Sequence, residues 1–266
     1  MSFAPVLAGA GYGGWTFLQR TIGRQQAAFA ADPAQRREEA YFRDRIGSVR
    51  TAGDLVADRR LLRVALGAFG LEADINSTAF VRKVLEDGTL APSALANRLA
   101  DRRYREFSAA FGFGDFATPR TVLSDFPDRI LWAYRDRQFA AAVGTQDNDM
   151  RLALNAEAEL ADLAGTGRGE VVGWLSIIGS PPLRKVFETA FGLPAAFGAI
   201  DIDRQVATLR DKAGSALGSD SVTQFADPAA RNRLLRRFFA RSATGAQDTG
   251  AGSAALALLT AAARRR

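Results

Sequence analysis

The stretch LLRVALGAFGL at 61–71 constrains the fold most, because it returns at 182–193 as PLRKVFETAFGL with its punctuation intact. In the first copy Leu62, Ala65, Leu66 and Phe69 fall at i, i+3, i+4 and i+7, and Leu61, Val64 and Ala68 widen the stripe. That is the period of a helix burying one face. Asp58 is placed to cap its first turn through a side-chain oxygen. Gly70 stands where the chain needs a left-handed residue to stop, with apolar Leu71 closing the contact behind it. In the second copy Ser180 occupies the cap position and Pro181 the first helical position, where a missing N–H costs nothing. Val186, Phe187, Ala190 and Phe191 continue the stripe, and Gly192, Leu193 and Pro194 end it. Upstream, Leu55 and Val56 correspond to Ile177 and Ile178 without a gap, so caps, stripe and stop align together and point to internal duplication.

The segments that follow extend the parallel. DINSTAFVRKVLEDG at 74–88 and DIDRQVATLRDKAG at 201–214 each read as cap, amphipathic helix and glycine stop. Each then leads through a short helix into a basic one, at 91–114 and 220–242, with Asp227 and Pro228 restarting the second as cap and first residue. Strand signals are sparse: alternating runs are few, and no Asn-Gly or Asp-Gly turn joins apolar stretches. Even VVGWLSIIG aligns with a helical segment and is expected to be helix. The expected fold is all-α, a multi-helix bundle built from two related helical repeats. The expected organisation is an N-terminal arm and first helix over 1–30, a first repeat over 31–118, a second over 119–242 and a flexible tail over 243–266. The glycine-rich residues 1–14 and the tail are expected to stay mobile until a partner orders them.

Composition then narrows the chemistry. The 266 residues contain no cysteine and no histidine. Disulfides, thiolate nucleophiles, Cys-ligated metals, the commonest general base and every Ser-His-Asp arrangement are thereby excluded. No catalytic residue, cofactor or metal site is expected. The net charge of +6 comes almost wholly from arginine, since only Lys83, Lys185 and Lys212 are lysines. In segments such as VADRR, LADRRYREF and AYRDRQF the basic residues alternate with acids, as on solvated, salt-bridged helix faces. With no long apolar run and no basic segment before the first apolar residues, the expected location is the cytoplasm.

Three features could carry binding chemistry. GAGYGG at 9–14 matches the glycine pattern of a dinucleotide site, but only Val6, Leu7 and Ala8 precede it, and no βαβ pattern follows, so it reads as part of the arm. QDNDM at 146–150 puts Arg151 where a calcium loop needs an oxygen ligand. Its acids read as the start of a helix, and Glu157, Glu159 and Asp162 beyond it as a solvated face. Around Leu234, Leu235, Phe238 and Phe239 lie Arg231, Arg233, Arg236, Arg237 and Arg241. This basic amphipathic helix, 231–241, is the candidate interaction surface, with Arg233, Arg236, Arg237 and Arg241 as its site residues and nucleic acid as its alternative partner. Trp15, Trp132 and Trp174 stand in apolar patterns and are expected to be core or interface anchors.

The chain resembles the bacterial domain-of-unknown-function family 1217. The resemblance rests on YFRDRIGSVRTAGDLVADRRLLRVALGAFGLEADI, AFVRKVLEDGTL and LANRLADRRYREFSAAFGFG in the first half, and on MRLALNAEAELADLA, LRKVFETAFGLP and DIDRQV in the second. It implies an all-helical protein whose gene neighbours are often flagellar, and it supplies no catalytic residues. The functional expectation is therefore a non-enzymatic protein that works through protein contacts, as a structural, assembly or regulatory accessory of the flagellum.

Overall fold

The computed structural model of the protein describes residues 3–165, 167 and 169–244, and of Ala195 only the backbone. Thirteen α-helices and no strand are present among the described residues. The helices are α1 (Gly11–Ala30), α2 (Pro33–Ile46), α3 (Ala52–Ala57), α4 (Arg59–Phe69), α5 (Thr78–Asp87), α6 (Leu95–Arg98) and α7 (Arg103–Phe111). They continue with α8 (Phe126–Gly144), α9 (Asn148–Gly165), α10 (Glu170–Ile178), α11 (Pro181–Phe191), α12 (Ile202–Leu217) and α13 over 228–244. The chain divides into two compact units. Of the described residues, one comprises 3–7, Leu18–Arg151 and Gly179–Pro181; the other comprises Ala8–Phe17, those within Leu152–Ile178, and 182–244.

In the first unit α4 is the centre. Its buried residues Leu61, Leu62, Val64, Ala65, Leu66 and Ala68 cover most of its circumference, so it must be surrounded. It packs most extensively on α8, then on α2, α3 and the 3-10 turn Glu72–Asn76. Phe42 and Ile46 of α2, Val81, Val84 and Leu85 of α5, and Phe107 and Phe111 of α7 complete the core. Edge-on aromatic pairs join its far side, with Phe107 and Phe126 each 5.1 Å from Phe111, a preferred geometry for ring quadrupoles. The compact unit runs past residue 118, the end of the first repeat as read from the sequence. The reason is α8, whose Ile130, Leu131 and Tyr134 belong to this core.

Punctuation at the helix ends follows the residue types. Asp58 caps α4 by accepting from the amides of Arg60 (2.9 Å) and Leu61 (3.1 Å). Gly70 ends that helix at φ +68°, with the Leu71 amide donating to the Leu66 carbonyl at 3.0 Å. Gly192 ends α11 in the same way, at φ +64°, with the Leu193 amide donating to the Glu188 carbonyl at 2.8 Å. Ser180 precedes Pro181 at the start of α11 and is buried. Two expectations are corrected. Asp74 does not cap α5: a 3-10 turn intervenes, the cap position falls to Ser77, and the Asp74 carboxylate accepts from the Tyr104 hydroxyl at 2.6 Å. Gly214 does not stop α12, which runs on to Leu217 and ends at Gly218, φ +96°.

The second unit has its own core. Trp174, Phe187, Phe191 and Phe225 interlock, with Phe187 5.6 Å from both Phe191 and Phe225. The indole N–H of Trp174 donates to the Asp220 carbonyl at 3.0 Å. Glu170, at the start of α10, accepts from the Val222 amide at 2.9 Å and from the Ser221 hydroxyl. Leu234, Leu235, Phe238 and Phe239 of α13 are buried.

The N-terminal arm is also corrected. Phe3 packs 5.5 Å from Phe29 and 6.2 Å from Phe139, and its amide donates to Asp32 at 2.9 Å. Val6 exchanges two hydrogen bonds with Gln25 (2.8 and 3.0 Å), and Gln146 donates to the Pro5 carbonyl at 2.7 Å. Residues 3–7 are thus held within the first unit by their own chain, while GAGYGG straddles the start of α1 at Gly11. Of the expected tail, 245–266 lies outside the described residues.

Candidate functional site

The helical period brings Trp132, Arg135, Asp136 and Phe139 to one face of α8, and Gln26, Phe29 and Ala30 to one face of α1. Together these side chains line a cleft of about 420 Å³ in the first unit, within the size range of small-ligand and side-chain pockets. Phe139 is buried, with its ring 6.0 Å from that of Phe29. Trp132 is 69% exposed, whereas Trp15 and Trp174 are 2% and 0% exposed. The three tryptophans expected as anchors therefore separate: two are core, and one presents an apolar ring to solvent.

The polar groups of the cleft are unevenly paired. Arg135 grips Glu39 of α2 with two hydrogen bonds, one from Nε to Oε1 at 2.7 Å and one from Nη2 to Oε2. Gln35 adds a third to Glu39 Oε1 at 3.0 Å, so this carboxylate, 6% exposed as a residue, is well compensated. The hydrogen bond to Glu39 holds the Arg135 guanidinium above its ordinary pKa, against the opposing effect of burial. Asp136 differs. Its hydrogen bond from Gln26 Nε2 is long, at 3.4 Å, near the limit of a useful interaction. Burial pushes its carboxyl above the ordinary value, only partly offset by the positive charge of Arg137. The cleft thus combines an exposed aromatic ring, an apolar floor and a carboxylate short of partners.

Sequence reasoning marked Trp132 as an anchor but passed over Arg135, Asp136 and Phe139 beside it, because AYRDRQF looks like an alternating, solvated surface. The available signal was Trp132, Asp136 and Phe139 at helical spacing with Arg135 beside them.

The arginines of α13 are placed differently from a phosphate-gripping array. Arg231 is held inside by Glu157 at 2.8 Å and by the Phe225 and Ala226 carbonyls, so Glu157 is not simply a solvated face. The Arg236 guanidinium lies 5.1 Å from the centre of the Tyr12 ring. Arg237 is half-buried, with a buried Nε that lacks a hydrogen-bond partner among the described residues. Arg241 packs its guanidinium against Gly192, in the space that a side chain there would fill. Arg233 is exposed. Arg231, Arg236 and Arg241 are thus engaged by groups of their own unit. The other motifs are structural: Asp147 accepts from the Met150 amide at 3.1 Å and Asp149 lies in the first turn of α9. Among the described residues no group of three acids could hold a metal ion, and no helix is long and apolar enough to cross a membrane.

Residues 68–230 match the family described as Protein of unknown function (DUF1217). The chain belongs to the DUF1217 family. The crystal structure of protein AGR_C_984 from Agrobacterium tumefaciens is similar to this DUF1217 protein at 28% identity and a TM-score of 0.72, over 89% of this chain and 95% of that one. Among curated proteins nothing matches. The match runs from the last two residues of α4 to the start of α13, and therefore includes the α8 wall of the Trp132 cleft.

Proposed function

We propose that this DUF1217 protein is a non-enzymatic helical module that acts by docking a protein partner, as a structural, assembly or regulatory accessory of the bacterial flagellum. The observation that carries the docking reading is Trp132, whose ring is left in solvent at the mouth of a cleft with an apolar floor. Tryptophan at such a position is the residue type that most often anchors a protein interface. The internal pairing of Arg231 and Arg236 supports it, because cations committed to Glu157 and Tyr12 are poorly placed to grip a phosphate backbone. The flagellar assignment rests on the gene neighbourhood that the family resemblance implies. A cytoplasmic, flagellum-associated location follows from the same reading.

We also read the two halves as related helical repeats. In each half a glycine-stopped helix, a 3-10 turn, an amphipathic helix and a final aromatic-bearing helix follow in the same order. Gly70 and Gly192 bear the same left-handed stop. Deleting the gene tests the biological role: swimming and filament number are expected to fall and to be restored by the native gene, but not by Trp132→Ala. Normal swimming and normal filaments in the deletion strain would refute it.

A further inference from the structure

We propose that the Trp132 cleft receives a basic side chain, an arginine or lysine together with its apolar stem, presented by the protein partner. This inference rests on the docking reading above and names the chemistry of what docks. Aromatic faces attract cations through their quadrupole, and indole does so best. No cation lies over the Trp132 ring among the described residues: the arginines that sit on rings do so at Tyr41, Phe116 and Tyr12. In the same cleft, Phe29, Ala30 and Phe139 offer an apolar wall suited to the methylenes of a long basic side chain.

Charge complementarity selects a cation over an anion or a neutral group. Glu39 pairs with Arg135, so of the two charges lining the cleft Asp136 is the one with no ion pair shown, and Arg137 acts on it from outside the lining. Arg135 shares its face with Asp136 but is committed to Glu39 by two hydrogen bonds. Arg137 lies on a different face of α8, with its guanidinium beside Gly70. The only hydrogen bond to Asp136 shown by these groups is the 3.4 Å contact from Gln26. A half-buried carboxylate is stabilised by a charged hydrogen-bond donor, and an incoming guanidinium or ammonium supplies it while its stem covers the apolar wall. A phosphate or a carboxylate would instead meet the like charge of Asp136.

The test uses the full-length protein with n-butylguanidinium as probe and n-butylurea as its neutral isostere, followed by Trp fluorescence and by calorimetry. Trp132 is the exposed indole, so the fluorescence change reports this cleft against the constant background of the buried Trp15 and Trp174. The expected result is saturable binding of n-butylguanidinium at least tenfold tighter than of n-butylurea. That preference should be lost in Asp136→Asn, binding should be lost in Trp132→Ala, and both should be retained in Arg233→Gln. Equal response to the two probes, no saturable signal by either method, or an unchanged preference in Asp136→Asn would overturn the proposal. The probe needs no biological partner, so its failure is separable from failure of the docking reading. Conversely, a flagellar partner recovered equally well by native protein and by Trp132→Ala would leave the docking role standing and remove this cleft from it.

Discussion

Asp136 and Asp58 are both aspartates near apolar surroundings, yet their environments push them in opposite directions. Burial dominates at Asp136 and raises its pKa. At Asp58 burial also pushes upward, but hydrogen bonds from the Tyr41 hydroxyl and from the Leu61 and Arg60 amides outweigh it, and the carboxyl is held below its ordinary range. The stability consequences carry opposite signs. Between its unfolded value and its raised folded value, Asp136 binds more proton in the native state, so its contribution worsens as pH rises through the folded value. Asp136→Asn is therefore expected to raise the thermal midpoint at neutral pH, with the gain fading as the solution is acidified. A loss at neutral pH, followed by thermal melts across pH, would contradict this. Asp58 contributes stability above its unfolded value that disappears as pH falls through its depressed folded value. Asp58→Ala removes a helix cap and a Tyr41 partner and is expected to cost about 1–2 kcal/mol in urea unfolding at neutral pH. The cap at Asp58 was legible, because a short acid before an apolar stripe has few other uses. The raised group at Asp136 was not, because nothing in RDR tells which charge faces a wall and which faces water.

At the scale of elements, two glycines that both follow a helix obey different physics. Gly192 ends α11 in the left-handed region with the Arg241 side chain against it. Gly192→Ala must hold an L residue at positive φ and displace a flexible guanidinium, a cost of about 1–2 kcal/mol. Gly114 follows α7, where a Cβ would strike the Glu86 carbonyl and the Gly88 amide, which are backbone and cannot swing aside. Around this contact the Asp115 carboxylate accepts from the Thr89 amide at 2.5 Å, the Thr89 hydroxyl at 2.7 Å and the Leu90 amide at 3.1 Å. Gly114→Ala is expected to cost about 3 kcal/mol, the upper end for overpacking, and to exceed Gly192→Ala in chemical denaturation. A smaller loss at Gly114 would show that the loop yields. The sequence announced the glycine stops of α4 and α11 through their repeated stripe and cap. It could not announce the approach of Gly114 to Gly88, because that contact joins segments whose spacing follows no local pattern. The same limit produced the early stop expected at Gly214, where α12 simply continues through a glycine that costs it about 1 kcal/mol.

At the scale of the whole molecule, the all-helical class followed from helical stripes punctuated by caps and glycines, with little to suggest strands. Unit boundaries followed less well. Local similarity places one repeat after another along the chain, whereas compactness is decided by which apolar faces meet. Helix α8 buries Ile130, Leu131 and Tyr134 with the first unit although it lies beyond residue 118. Its sequence hides this because it is buried on more than one side, with charged residues between the buried positions. The Trp132 cleft was hidden for the same reason, since its two walls come from helices far apart in sequence. The central claim, that this cleft docks a flagellar protein, is tested most directly by affinity purification from motile cells at low and at moderate salt. Tagged native protein would be compared with Trp132→Ala and with a variant neutralised at Arg233, Arg236 and Arg237. The account predicts that native protein and the arginine variant recover hook, basal-body or export components at both salt concentrations and that Trp132→Ala recovers less than a tenth as much. Recovery of nucleic acid alone, lost as salt rises and abolished in the arginine variant, would contradict it and move the binding surface to α13.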